Sequence, residues 1–141
     1  MAQRRIELEI RVPNQTRYLS LVGRIGEDIA REIEKYSGDR ELLAYQLNLA
    51  LTEAVANAIK YGCSENLDET VHISINLEGN SLYIRIYDFG KGFDINGVAP
   101  PDFDALSECG RGLYLIRKVM DSVRYERQQS RNMLEMIKLL W

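Results

Sequence analysis

The chain is poor in the residues that build metal clusters and disulfide frameworks. It has two cysteines, Cys63 and Cys109, and one histidine, His72, in 141 residues. Two thiols without metal-ligand spacing are too few to staple a small fold, so they read as reduced cysteines of a cytosolic protein. Long apolar runs are missing as well. Nothing approaches the roughly 18 residues of a membrane span, so no membrane role is expected. Residues 1–12 carry charges throughout and have no apolar stretch of the kind a signal peptide needs. Nor is there an excess of positive charge. The net charge is -3 and the pI about 5.3, which gives no support for direct nucleic-acid binding. Repeats, low-complexity tracts and linkers are absent. What is present is 45% hydrophobic and 28% charged residues, the balance of one compact domain over residues 1–141 with a buried core.

Residues 5–12 alternate polar and apolar side chains, the pattern of a half-buried strand. Pro13-Asn14 ends it, with Asn14 placed to cap the helix after it. Leu19, Val22, Ile25, Ile29 and Ile33 recur at helical spacing, which predicts an amphipathic helix over 15–36, stopped by Ser37-Gly38. Asp39 is placed to cap a second helix over 40–61. Val71, Ile73, Ile75 and Leu77, then Leu82, Ile84 and Ile86 after Gly79-Asn80, predict an antiparallel hairpin with one core face. His72 falls on the polar face of the first of these strands and reads as a surface residue. Residues 89–111 read as a long loop rich in Gly, Pro and Asp, with room for one helical turn, the kind that in a small domain carries function or is disordered. Leu113, Ile116, Val119 and Met120 mark a short third helix. Ser122–Arg127 and Met133–Leu140 then read as a closing hairpin. The order β, α, α, β, β, loop, α, β, β argues for an α+β two-layer sandwich, a mixed and mostly antiparallel sheet with helices on one face. It lacks the alternating βαβ units of a Rossmann or P-loop fold.

Three local signals carry chemistry. At about 100° per residue, the apolar side chains of the second helix fill one broad arc, and Glu53 and Asn57 lie about 40° apart at its edge. Side chains four apart on a helix can meet one ligand. Taken alone, Glu-x-x-x-Asn is a common accident. Asp88 ends a strand and leads Phe89-Gly90-Lys91-Gly92. A carboxylate fixed there suits an exocyclic amine such as that of adenine, and glycines admit a flat ligand close to the backbone. Asp88-Phe89-Gly90 also imitates a eukaryotic protein-kinase magnesium motif, but the chain is too short and has no His-Arg-Asp catalytic loop. Gly110-Arg111-Gly112-Leu113 opens the third helix, where free backbone N–H groups and the helix dipole attract phosphate, and Arg111 could pair with a phosphate oxygen. Each signal has a bland alternative: a boundary Glu and Asn, a simple turn, an ordinary helix start. Their fixed order on suitable elements makes a joint accident much less probable than a nucleotide–magnesium site.

Together these residues resemble the GHKL (Bergerat-fold) ATPases over nearly the whole chain. Leu-Thr-Glu-Ala-Val-Ala-Asn-Ala-Ile-Lys-Tyr-Gly looks like the N-box, and Gly110–Ile116 followed by Val119-Met120-Asp121 looks like the G2 box, of the bacterial anti-sigma-factor serine/threonine kinase branch. The resemblance implies ATP and Mg²⁺ as cofactors. Asn57 would coordinate the metal, and Glu53 would act as general base toward a substrate hydroxyl or orient it. Asp88 would bind adenine, with Gly90 and Gly92 shaping that pocket. Gly110 and Gly112 would form the phosphate lid, with Arg111 touching phosphate. It also implies two protein partners, a sigma factor and an anti-sigma-factor antagonist that accepts the phosphoryl group, and often a homodimer. One departure stands out: where the family often has a His after the N-box Asn, this chain has Lys60-Tyr61. Two other functions fit less well. A non-catalytic ATP-gated partner-binding switch would have no use for Glu53. A histidine-kinase catalytic domain would need a separate acceptor, because the only histidine is His72.

Overall fold

The computed structural model describes residues 5–59, 69–89 and 108–141. Strand β1 (Glu7–Pro13) leads through a 3-10 turn at Thr16–Tyr18 into helix α1 (Leu19–Glu32), followed by α2 (Arg40–Asn57). Strands β2 (Thr70–Glu78) and β3 (Ser81–Asp88) come next, then α3 (Glu108–Val119), β4 (Ser122–Arg127) and β5 (Asn132–Leu139). The five strands form one sheet in the order β1-β2-β3-β5-β4. All four pairings are antiparallel, so the mostly antiparallel sheet expected from the hairpins is antiparallel in every described pair.

The period of two decides which face is covered. In β3, Leu82, Ile84, Ile86 and Asp88 are buried while Ser81, Tyr83, Arg85 and Tyr87 are only partly so. The register carries the same phase outward: Ile84 lies opposite Ile75 on β2 and Met136 on β5. These residues join Leu43, Leu47, Ala50, Leu51, Ala54 and Val55 of α2 and Leu113 and Ile116 of α3 in one core. The helices therefore cover one face, and α2 lies between α1 and α3. The other face carries a row of polar partners across the strands. Glu9 accepts from Ser74 at 3.0 Å, and Glu135 accepts from Arg85 at 2.8 Å, with Arg124 3.5 Å from the same carboxylate. His72 is on this face, bonded to Glu9 and beside the Tyr87 ring. None of the described helices is long and apolar enough to cross a membrane.

Two close contacts set the helix layer. A Cβ on Gly26 would sit 2.9 Å from the backbone carbonyl of Leu47, so α1 lies against the backbone of α2 at that point. At the other end Arg40 donates to the carbonyl oxygens of Ala30 (2.7 Å) and Ile33 (2.6 Å), which the end of α1 leaves without helical partners. Asp39 caps α2 as expected, its side chain accepting from the Leu42 N–H at 3.1 Å. The β2–β3 turn places Gly79 at φ 59°, the backbone that a two-residue hairpin turn needs at its first position.

Three expectations need correction. Helix α1 stops at Glu32 rather than 36, because Ile33 turns extended (φ -68°, ψ 117°) yet stays buried. The apolar spacing thus runs past the helix into the core. Asn14 does not cap a helix: its backbone N–H donates to the Glu69 carbonyl at 3.1 Å, prolonging the β1–β2 ladder, and the 3-10 turn starts after Gln15 with no side-chain cap. Helix α3 begins at Glu108, so the end of the expected loop is helical and Gly110 and Gly112 lie inside the helix rather than before it.

Candidate functional site

Helix α2 owes its buried arc to Leu43, Leu47, Ala50, Leu51, Ala54 and Val55, and the phase of that arc brings Glu53 and Asn57 to its rim. Glu53 is half-buried; Asn57 is only 4% exposed. Directly after Asn57 the helix widens into a π turn at 58–59, and the Ala58 N–H reaches both the Ala54 and Val55 carbonyls. Such widenings recur where a helix presents groups to a ligand.

The residue that meets this pair is Gly112. A Cβ built there would fall 2.9 Å from Oε2 of Glu53, 3.1 Å from Nδ2 of Asn57 and 3.3 Å from its Oδ1. The missing side chain therefore lets the α3 backbone lie against the carboxylate and the carboxamide at once. Close approach, not conformational freedom, is what glycine supplies here, since the residue is in the body of a helix. The Asn57 Nδ2 is buried and has no hydrogen-bond partner among the described residues. A buried amide donor left so costs about 1–3 kcal/mol, which an acceptor bound beside it would recover.

Asp88 forms a second cluster. It ends β3 on the helix-covered face and is 4% exposed. Its register partner Asn132, fully buried, donates from Nδ2 to Asp88 Oδ1 at 2.8 Å. Arg127, opposite Asn132 on β4, donates from Nη1 to Asn132 Oδ1 at 2.7 Å. Neither Asn132 nor Arg127 was expected at the site. The one available sign is that Asn132 takes the apolar phase of β5 shared by Leu134 and Met136. Arg131 of the same hairpin tip stacks its guanidinium 4.0 Å from the centre of the Tyr87 ring.

The structure thus joins Glu53, Asn57 and Gly112 directly, and places Asp88 with Asn132 and Arg127. Gly110 is the third residue of α3, and Arg111, the fourth, is exposed. The expectations for Gly90, Gly92 and Lys60 fall outside the described residues, as does Cys63. Two clefts of about 450 and 330 Å³ lie elsewhere, by Lys35, Tyr36 and Trp141 and by Ile6, Leu8 and Ile25. The second is mostly apolar, with Asp28 and Glu32 also in its lining.

The two-layer fold has counterparts in known proteins. Residues 12–138 match the histidine kinase-like ATPase domain. The chain belongs to that family. Among curated relatives it is 28% identical over 132 residues to the serine-protein kinase RsbW of Bacillus thuringiensis, covering 88% of this chain and 79% of that protein. With the serine-protein kinase RsbW of Bacillus subtilis the identity is 28% over 127 residues, covering 84% and 77%. In solved structures, the fold resembles the RsbU and RsbW domains of a Mycobacterium tuberculosis protein (TM-score 0.69, 15% identity), covering 96% of this chain and 32% of that one. This chain thus spans about a third of that protein. It also resembles a histidine kinase domain from Erythrobacter litoralis (TM-score 0.56, 13% identity), covering 91% of this chain and 61% of that one.

For a histidine kinase-like ATPase domain the donor set fits the nucleotide that the family name implies. The Asn57 carboxamide offers a hard oxygen of the type Mg²⁺ accepts, and a buried N–H for an anionic oxygen. No group of three or more His, Cys, Asp or Glu is placed to hold a metal among the described residues. A metal held at Asn57 would therefore keep mostly water and phosphate ligands, as Mg²⁺ commonly does.

Proposed function

We propose that this chain is an ATP-dependent protein serine/threonine kinase acting as an anti-sigma regulatory factor. It binds a sigma factor and phosphorylates a Ser or Thr on an anti-sigma-factor antagonist, as one ATPase domain over residues 1–141 in the cytoplasm. The observation that carries the reading is the Gly112 contact. It puts a half-buried carboxylate beside a carboxamide whose Nδ2 has no hydrogen-bond partner among the described residues, both against the helix that follows the glycine-rich segment. The names of the RsbW relatives support the choice of protein substrate.

Phosphoryl transfer asks the protein mainly to position groups and to neutralise charge. In this reading Asn57 would hold Mg²⁺, which would supply charge neutralisation at the phosphates. Asp88 accepts a hydrogen bond from the adenine amine. Gly110, Arg111 and Gly112 would lie against the phosphates, and the reading assigns Gly90 and Gly92 to the base pocket. Glu53 accepts the proton of the acceptor hydroxyl as its oxygen bonds to the γ-phosphorus. The bond from that phosphorus to the β–γ bridging oxygen breaks and ADP leaves. A positioned base of this kind contributes about 10²–10⁴ in rate. Lys60 stands where the family often has His, and this departure leaves Glu53 in place.

The test is transfer from γ-labelled ATP to whatever protein co-purifies in the presence of ATP and Mg²⁺, followed by a phosphosite map. Glu53→Ala is expected to lower transfer by about 10²–10⁴ and to leave ATP affinity within a few-fold. Transfer by this variant at the wild-type rate refutes the role of Glu53. Tight ATP-dependent partner capture with no phosphoprotein refutes the kinase and leaves an ATP-gated switch.

A further inference from the structure

The cluster at the end of β3 contains an element that the proposed chemistry does not use. Asp88, Asn132 and Arg127 lie on one row across β3, β5 and β4, all on the helix-covered phase of the sheet. Their side chains form a chain in the same order: Arg127 Nη1 to Asn132 Oδ1 at 2.7 Å, Asn132 Nδ2 to Asp88 Oδ1 at 2.8 Å. Asn132 is wholly buried at the centre, and Arg127 reaches it from an exposed strand end.

A carboxamide has one acceptor end and one donor end, and rotation by half a turn exchanges them. Here a guanidinium, which only donates, faces one end, and a carboxylate, which accepts, faces the other. Rotation would set the Asn132 oxygen against the Asp88 carboxylate and its NH₂ against the guanidinium, so one orientation is allowed. A carboxylate has about four acceptor positions, and the bond from Asn132 takes one of them and ties Oδ1 of Asp88 to β5. Linked bonds of this kind also polarise one another.

We propose that Arg127 is a positioning residue for base recognition: by fixing the Asn132 carboxamide it orients Asp88 toward the exocyclic amine of adenine. This rests on reading Asp88 as the adenine acceptor. Arg127 then sets selectivity for the base without touching it. The remainder of the hairpin tip is fastened to the same end of β3, since Arg131 covers Tyr87 and its Nε donates to Gln128 Oε1 at 2.8 Å.

The experiment titrates ATP and purine-riboside triphosphate, which lacks only the amine, into the full chain with Mg²⁺ by calorimetry, for the wild type and Arg127→Met. The wild type is expected to bind ATP roughly tenfold more tightly than the analogue, the worth of one hydrogen bond to a charged acceptor. Arg127→Met should lose most of that factor on ATP alone and bind the analogue within about twofold of the wild type. A variant that merely loosens the hairpin, or that loses a phosphate contact, weakens both ligands alike, and that result overturns the proposal. So does full retention of the ATP preference in Arg127→Met. A wild type that does not distinguish the two ligands, or binds neither, fails earlier: it overturns the assignment of Asp88, and the role of Arg127 falls with it. Because the variant's affinity for the analogue reports on its fold, loss of structure is visible in the same titration.

Discussion

Gly112→Ala separates stability from function at the α2–α3 junction. The added methyl would lie 2.9 Å from Glu53 Oε2, 3.1 Å from Asn57 Nδ2 and 3.3 Å from Asn57 Oδ1. The Glu53 carboxylate is the far end of a half-buried, flexible side chain and swings aside at little cost. The Asn57 carboxamide is 4% exposed and must give by a few tenths of an ångström within its packing. Against this, replacing a helix-interior glycine by alanine is worth about 0.8–1 kcal/mol in helix propensity. The two effects oppose each other, so unfolding free energy should stay within about 1 kcal/mol of wild type. That is a shift in Tm of roughly 4 °C at most for a domain of this size. Function should not be spared. Displacing a reacting group by about 1 Å can cost on the order of 10²-fold, and the methyl pushes on both members of the pair. Single-turnover transfer from labelled ATP should fall by roughly 10- to 100-fold, with Tm followed by circular dichroism on the same samples. In a Glu53→Ala background the closest contact is gone, so adding Gly112→Ala should weaken ATP binding less than it does alone, a coupling expected of groups in contact. Wild-type transfer by a well-folded Gly112→Ala protein would refute the reasoning, because a site assembled against Gly112 has no room for the methyl.

Two further substitutions probe the scaffold. Gly26→Ala meets the Leu47 backbone carbonyl at 2.9 Å, whereas Gly23→Ala meets the side-chain ends of Asn48 and Thr52 at 2.8 Å. Backbone yields less than a side-chain tip, so Gly26→Ala should destabilise by about 1–2 kcal/mol and Gly23→Ala by clearly less in urea unfolding. Equal effects would show that α1 does not rest on the α2 backbone at Gly26. Arg40→Met removes the donor that satisfies the Ala30 and Ile33 carbonyls and should lower stability by about 1–2 kcal/mol without changing ATP affinity. An unchanged Tm would show that water serves those carbonyls as well.

The parts of the fold legible in the sequence are those governed by a local period. The alternation through Val71–Leu77 and Leu82–Ile86 fixes both strands and their core face, and Gly79-Asn80 fixes the turn between them. Ser122–Arg127 matches β4 to the residue. The helical pair Glu53 and Asn57 was legible for the same reason, since one turn of helix decides that they are neighbours. Ile33 shows where the rule stops: it is buried at the spacing of a helix that has already ended, because the core continues where the helix does not. Gly112 was legible as a glycine of interest but not for its actual use. The close approach of α3 to α2 is a tertiary fact that the run Gly110-Arg111-Gly112 does not announce. Asn132 was hidden more completely. Its partners are 44 residues away on β3 and 5 away on β4, and only the strand register brings the three onto one row.

The central claim is that the carboxamide beside Gly112 is the metal and phosphate end of a nucleotide site. The direct measurement is calorimetric titration of ATP into the wild type and Asn57→Ala, with Mg²⁺ and again with EDTA. If Asn57 holds the metal, Mg²⁺ should strengthen ATP binding to the wild type by at least about tenfold, and Asn57→Ala should lose that gain while folding normally, as a charge-assisted contact of roughly 1.5–3 kcal/mol requires. ATP binding that is the same with Mg²⁺ and with EDTA, or an Asn57→Ala protein that keeps the full Mg²⁺ gain, would contradict it.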